Sequence, residues 1–266
     1  MNNRVIVKEY KVKSLENRTK IVRVILPKDY YETNKSYPVL YMHDGQYLID
    51  NSPYSNCSWN VLKTADELHE RTKGIIIVGM DSHAKKRILE YSPFFTRSVK
   101  QHMLKEIGIP ESEIKPEADE YGDFIVNQLK PILDSEYRTL RDKDNTYIAG
   151  SSCGGIISIY LGIKYQNIFS VIGAFSPAYW FVRDELFQYI LKSNVDSNIR
   201  IYHDMGTEEN TNYSPLYVKL HKKFEQTIST KITDENRCMI LDEGATHSEC
   251  YWAKRFKIFL EFLYQQ

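Results

Sequence analysis

The stretch "NTYIAGSSCGGIISIYLG", Asn145 to Gly162, carries a short β-favouring run into a longer apolar run through a turn of serines, a cysteine and glycines. Within it, Gly150-Ser151-Ser152-Cys153-Gly154 fits the spacing G-x-S-x-G with Ser152 at the centre; Ser151 does not fit and reads as a small spacer. A nucleophile displayed on a strand-to-helix turn needs a strained backbone, so the residues two positions either side must be nearly without side chains. Gly150 and Gly154 meet that need. A helix is then expected from Cys153 or Gly154, with the Cys153 backbone N–H facing the space before Ser152 Oγ, where a tetrahedral oxyanion would form. A phosphate cradle is the rival reading of so glycine-rich a turn. No Lys follows to make a P-loop, however, and the G-x-G-x-x-G spacing is missing.

The elements around this turn alternate in type. Val5 to Val12 and Thr19 to Leu26 are β-branched, partly alternating runs separated by SLENR, which predicts an antiparallel hairpin. Near-continuous apolar runs, as in strands buried on both faces, recur at Tyr37 to Gly45, Gly74 to Asp81, Thr146 to Gly150, Phe169 to Pro177 and Asn198 to Gly206, with a last one at Arg237 to Gly244. Helical spacing occupies Trp59 to Arg71, Tyr121 to Ser135, Gly154 to Tyr165, Asp184 to Lys192, Leu216 to Ile228 and Ser248 to Tyr264. Such alternation predicts an α/β fold in a single domain over residues 1–266: a mostly parallel central sheet, an N-terminal antiparallel hairpin, and helices on both faces. Ligands of such sheets bind at the carboxyl ends of the strands, so catalytic residues are expected just after strands. Tyr91 to Ala118, which contains Pro93, Pro110 and Pro116 and has no clear period, is expected to cross that same edge as a lid or pocket wall.

A serine hydroxyl attacks only when a base takes its proton, and on a sheet of this kind the chain order is Ser, then an acid, then His. His247, in GATHSECYW, stands after the last predicted strand and before the last helix, where that base is expected. His203 lies inside a predicted strand and His221 mid-helix among lysines, so both are expected to be structural or solvated. The acid is expected after the penultimate strand, in YHDMGTEEN, where Asp204, Glu208 and Glu209 compete. Asp204 also suits holding the turn through backbone hydrogen bonds, whereas either glutamate can reach over the sheet edge to orient the imidazole. Spacing does not separate Glu208 from Glu209. A second oxyanion donor belongs after the strand ending in HDG, in the Gly45-Gln46 region. His43 and Asp44 beside it read as turn-shaping residues, because no third ligand stands at metal spacing.

Composition narrows the partner. Of 266 residues 42% are hydrophobic, ample for one sizeable core. Thirty-five basic residues balance thirty-five acidic ones without a basic run, which argues against nucleic acid and against an anionic membrane and favours a small molecule. MNNRVIVKEYKVKS lacks the apolar stretch of a signal peptide, and no segment approaches the roughly eighteen apolar residues of a membrane span, so a soluble, cytoplasmic protein is expected. Cys57, Cys153, Cys238 and Cys250 form no CxxC pair and are expected to be reduced thiols, making neither a zinc site nor a disulfide framework. No cofactor or metal is implied, and self-association into a homo-oligomer is left open.

An ordered set of motifs carries a resemblance. MHDGQ (Met42 to Gln46), R-x-x-EYSP (Arg87 to Pro93), YRT (Tyr137 to Thr139), AGSSCGG (Ala149 to Gly155), FSP (Phe175 to Pro177), GTEE (Gly206 to Glu209) and H-x-E-x-x-W (His247 to Trp252) together resemble the Putative esterase family of the α/β-hydrolase superfamily, from about Ile25 to Phe262. That family includes enterochelin-type trilactone esterases, feruloyl and acetylxylan esterases, S-formylglutathione hydrolase and the mycolyltransferases. The resemblance implies an α/β-hydrolase fold, Ser152 as nucleophile, His247 as base, and the oxyanion hole at Cys153 and Gly45-Gln46. Because the family acid usually stands three residues after the strand-end glycine, it points to Glu209 as the acid. Cys153 departs from the pattern, which usually has Met there; only its backbone is used, though a thiol so placed would be open to oxidation or alkylation. The expected activity is that of a serine esterase acting through an acyl-enzyme on a small-molecule ester, such as a carbohydrate ester or a siderophore-type lactone. Acyl transfer to an alcohol, or a ligand-binding domain that has lost catalysis, are the alternatives.

Overall fold

The computed structural model describes residues 3–209 and 213–264. Its eight strands are β1 (Val5–Val12), β2 (Arg18–Ile25), β3 (Val39–His43), β4 (Ile76–Met80), β5 (Thr146–Ser151), β6 (Val171–Phe175), β7 (Arg200–Gly206) and β8 (Arg237–Asp242). They form one sheet in the order β1-β2-β4-β3-β5-β6-β7-β8. β1 and β2 make the N-terminal hairpin, β2 runs antiparallel to β4, and every pairing from β4 to β8 is parallel. The mostly parallel sheet with an antiparallel hairpin is therefore as expected.

The two-residue period of the strands divides the core between the faces. Val39, Tyr41, Ile76, Val78, Ile148 and Ile172 join one apolar cluster, which takes in the Cys153–Lys164, Arg183–Lys192 and Ser214–Ile228 helices. Their neighbours Leu40, Met42, Ile77, Ala149, Val171 and Tyr202 join a second cluster built on Trp59 and the Glu249–Leu263 helix. Helices thus cover both faces, and β5, buried at all six residues, lies in the interior of the sheet.

Two helices differ from their periodicity. The one expected over Trp59 to Arg71 begins at Val61 and breaks at Leu68 into Val61–Glu67 and His69–Thr72. The one expected over Tyr121 to Ser135 runs from Ala118 to Glu136 through a π-helical stretch, Phe124–Leu129. That wide turn precedes Pro131, which has no N–H to donate and whose ring crowds the carbonyl four residues back. The Tyr91 to Ala118 excursion forms short helical pieces at Arg97–His102, Met103–Ile107 and Glu111–Glu113. Thr96 Oγ1 donates to the Phe181 carbonyl and pins the excursion beside the segment that follows β6. There Thr96 to Ser98 wall a cavity of about 510 Å³ shared with Trp180, Tyr213 and Tyr217, separate from the cavity at Ser152.

The cysteine expectation is corrected. Cys57 and Cys250 form a disulfide, with Cα atoms 5.2 Å apart across 193 residues of sequence, while Cys153 and Cys238 are free thiols. Packing of the 52–59 segment against the last helix creates that proximity, which no sequence spacing encodes. Such bonds are rare where thiols are kept reduced, so this one weighs against the cytoplasmic expectation. Among the described residues no helix is long and apolar enough to cross a membrane.

Candidate active site

Ser152 sits between β5 and the Cys153–Lys164 helix with φ 57° and ψ −123°, a conformation that L residues rarely adopt. Strain of this kind costs about 1–3 kcal/mol and persists only when its surroundings over-determine it. Here they do: the Ser152 N–H donates to the Phe175 carbonyl (2.9 Å), and the Ser152 carbonyl accepts from the N–H groups of Gly155 (3.0 Å), Ile156 (3.3 Å) and Ala178 (3.0 Å). A Cβ on Gly150 would lie 2.9 Å from the Gly154 backbone and from His43 Cδ2, so the G-x-S-x-G glycine answers to a real contact. Cys153 is the first helical residue, and its N–H has no intrahelical acceptor. Its thiol is buried, which pushes its pKa up and keeps it protonated.

The turn after β3 is held as firmly. Asp44 adopts φ 56° and ψ 47°, its N–H donates to the Tyr91 hydroxyl (3.2 Å), and its carboxylate takes two hydrogen bonds from Arg87, each 2.7 Å. Burial alone would raise the Asp44 carboxyl, but Arg87 outweighs it and holds the group below the ordinary aspartate range. A Cβ on Gly45 would fall 2.5 Å from the Gly79 carbonyl carbon, so only glycine passes β4 there. Gln46 locks the following loop by donating to Ser82 Oγ (2.7 Å) and accepting from the Ser82 N–H (3.0 Å). Gly45 and Gln46 open a 3₁₀ turn, where their N–H groups lack acceptors within the turn. Gln46 lines the Ser152 cavity; Gly45 is buried and does not line it. His43 is also buried, which drops its pKa to about 3, and its Nδ1 pairs with the Tyr121 hydroxyl at 2.9 Å. His43 and Asp44 therefore shape the turn, as expected. Among the described residues no group of three or more His, Cys, Asp or Glu side chains stands together as a metal site.

His247 follows β8 and precedes the Glu249–Leu263 helix, and it lines the same cavity as Ser152. No hydrogen bond joins the two among the described residues; such contacts often tighten only when substrate is bound. His247 Nδ1 lies 2.5 Å from Glu209 Oε2. An ionised carboxylate only accepts, so Nδ1 carries the proton in this contact and leaves Nε2 as the ring nitrogen that Glu209 does not engage. The other oxygen, Glu209 Oε1, accepts from Ser176 Oγ (2.5 Å) and the Gly206 N–H (2.6 Å). Burial would raise the Glu209 carboxyl, but the hydrogen bonds from His247, Ser176 and Gly206 prevail and hold it below the ordinary value. Of the three competing acids, then, the one in contact with His247 is Glu209. Glu208 is exposed. Asp204 accepts from the Ser176 N–H (2.9 Å) and the Tyr202 hydroxyl (2.9 Å) and pairs with Arg255 at 3.2 Å, which is the turn-holding role.

Sequence reasoning missed the support of Glu209. Ser176 Oγ donates to that carboxylate and accepts from Trp252 Nε1 and Arg255 Nη2, both at 3.0 Å, so its hydroxyl is fully used. Ser176 has φ 40°, a second strained serine at a strand end. The signal was present in FSP and H-x-E-x-x-W, motifs whose serine and tryptophan carried no physical assignment. His203 and His221 are both buried, their Nδ1 atoms 2.9 Å apart, with His203 Nε2 on the Tyr179 hydroxyl at 2.8 Å. The structural reading holds for both, and the solvated one does not.

Comparisons with known proteins show the family and the fold. A family model described as "Putative esterase" matches residues 13–262. YbbA, an uncharacterized protein of Bacillus subtilis, is 25% identical over 243 residues, covering 90% of each chain. The enterobactin esterase FES of Shigella flexneri superposes with a TM-score of 0.75 at 16% identity, over 98% of this chain and 58% of its own length. A ferulic acid esterase superposes with a TM-score of 0.69 at 19% identity, over 97% of both chains. With the family model spanning nearly the whole sheet and its strained serine turn, this chain belongs to the Putative esterase family and has its α/β-hydrolase fold.

Proposed function

We propose that the protein is a serine esterase that hydrolyses a carboxylic ester of a small molecule through an acyl-enzyme. The observation that carries this reading is the Glu209–His247 contact opening on the cavity that Ser152 lines. Ser152 Oγ attacks the ester carbonyl while His247 Nε2 takes its proton, and the resulting oxyanion is met by the Cys153 N–H and the Gly45-Gln46 turn. His247 returns the proton to the departing alcohol. Water then enters and bonds to the acyl carbon as its proton passes to the same nitrogen; the intermediate collapses, Ser152 Oγ leaves and takes that proton back from His247, and the acid is released. Glu209 holds the imidazole tautomer and stabilises the imidazolium without itself taking the proton.

Membership of the esterase family supports ester chemistry, and structural neighbours that are enterobactin and ferulic acid esterases make a siderophore-type lactone or a carbohydrate ester the substrate classes to test first. Hydrolysis of p-nitrophenyl acetate by wild type, Ser152→Ala and His247→Ala is the direct experiment. Losses of about 10⁴-fold or more are expected in each variant. An inert wild type, or a Ser152→Ala enzyme at full rate, ends the proposal. Activity abolished in Cys153→Ala but kept in Ser152→Ala would make the thiol the attacking group.

A further inference from the structure

The Ser152 cavity, about 720 Å³, is lined by several charged residues, and all but one have charged partners. Asp44 is paired with Arg87, Asp81 with Arg23, and Lys20 with Glu90. Glu249 is the exception. It is 6% exposed and accepts at Oε2 from Ser55 Oγ (2.5 Å), while Oε1 has no hydrogen-bond partner and no basic side chain pairs with it among the described residues. Position at the start of a helix eases the cost of such a carboxylate but leaves its acceptor capacity unused. Its orientation is fixed from both sides, because Ser55 lies two residues before Cys57 and Glu249 one before Cys250, the two ends of the disulfide. A rigid, largely buried carboxylate that lines a cavity with one oxygen unpaired is a preorganised recognition group.

Resting on the esterase reading above, we infer that Glu249 selects the alcohol half of the substrate by accepting a hydrogen bond from a hydroxyl on it, so that the favoured substrates are esters of polyols. The leaving oxygen must approach His247 to be protonated, which puts the alcohol half on the side of the cavity where Glu249 stands two residues further along. Thr19, Tyr47 and Tyr54 line the same cavity and offer further polar contacts of the kind a polyol uses. An anionic group on the alcohol half would meet an uncompensated carboxylate and be rejected.

Four acetate esters that share one acyl group test this: glyceryl monoacetate, ethyl acetate, acetylcholine and O-acetylglycolate. Wild type should prefer glyceryl monoacetate over ethyl acetate by roughly tenfold in kcat/KM, the worth of one charge-assisted hydrogen bond, and O-acetylglycolate should be the poorest. Glu249→Gln keeps an acceptor for Ser55, and it should collapse the glyceryl-to-ethyl ratio while raising O-acetylglycolate relative to ethyl acetate. Equal scaling of all four esters in that variant, or a wild type that shows no glyceryl preference, overturns the inference without touching the esterase reading. Acetylcholine preferred over glyceryl monoacetate also overturns it, because charge attraction and not a hydroxyl contact would then set the choice. A wild type inert on all four and on p-nitrophenyl acetate overturns the esterase reading itself. Should Glu249→Gln fail to fold, Glu249→Asp, which keeps the charge on a shorter arm, should lower the glyceryl-to-ethyl ratio while still disfavouring O-acetylglycolate, and an unchanged ratio overturns the inference.

Discussion

The end of β7 and the loop just beyond it carry two buried carboxylates that share one neighbour and behave oppositely. Asp204 accepts from the Ser176 backbone N–H, and burial, only partly offset by Arg255, lifts its pKa to about 6. Glu209 accepts from the Ser176 hydroxyl, and there the donors from His247, Ser176 and Gly206 outweigh burial and hold it ionised. Five residues of separation thus set a carboxyl that keeps its proton toward neutrality beside one that gives it up early. Environments that push two acids apart in this way commonly divide their roles, one structural and one supporting the base. Each has three polar partners, so their number does not separate the two; Asp204 is the more deeply buried, and for it burial prevails over Arg255, Tyr202 and Ser176.

The comparison breaks most visibly in catalysis. Glu209→Gln should cut kcat on p-nitrophenyl acetate by about 10³–10⁴-fold, because an amide no longer fixes the His247 tautomer, and Asp204→Asn should lose far less. Equal losses in the two variants would erase the distinction. Ser176→Ala is expected to cost about 1–3 kcal/mol in urea unfolding, since it strips an acceptor from Trp252 and Arg255 and a donor from Glu209. In the same variant Glu209 should titrate at higher pH. Its contribution to stability, present above the ordinary glutamate pKa and lost as pH falls through the depressed one, should then disappear earlier on acidification.

The smallest expected effect is a slope. Folded Asp204 holds its proton to about 6, whereas an unfolded aspartate releases it near 3.8, so between those values the unfolded chain sheds a proton that the folded one keeps. Stability contributed by this group is complete below the lower value and declines as pH rises through the upper one. Urea midpoints of wild type and Asp204→Asn, compared from about pH 4 to 7, should diverge in that direction; parallel curves would place the Asp204 pKa at its ordinary value.

Much of this was legible locally. Periodicity located the hairpin, every parallel strand and the serine turn, because apolar runs of strand length and glycines flanking a serine are local consequences of burial and backbone strain. Chain order alone placed His247 between the last strand and the last helix, where the structure has it. The choice between Glu208 and Glu209 was not open to spacing, since both can leave the same strand end; it depends on where Ser176 and Gly206 present donors. The break at Leu68 and the π-helical stretch before Pro131 escaped periodicity, because a hydrophobic stripe continues through either irregularity.

By itself, the sequence determined the alternating sheet, the G-x-S-x-G turn at Ser152 and the position of His247 between the last strand and the last helix, all of which follow from short-range propensity and the alternation of elements. Only the tertiary structure decided that Ser176, Trp252 and Arg255 converge behind Glu209, that Cys57 meets Cys250 across 193 residues, and that Glu249 faces the cavity with an oxygen to spare. Those facts depend on which loops the packed helices bring together, and contacts between residues so distant in sequence leave no period or spacing for the chain to display.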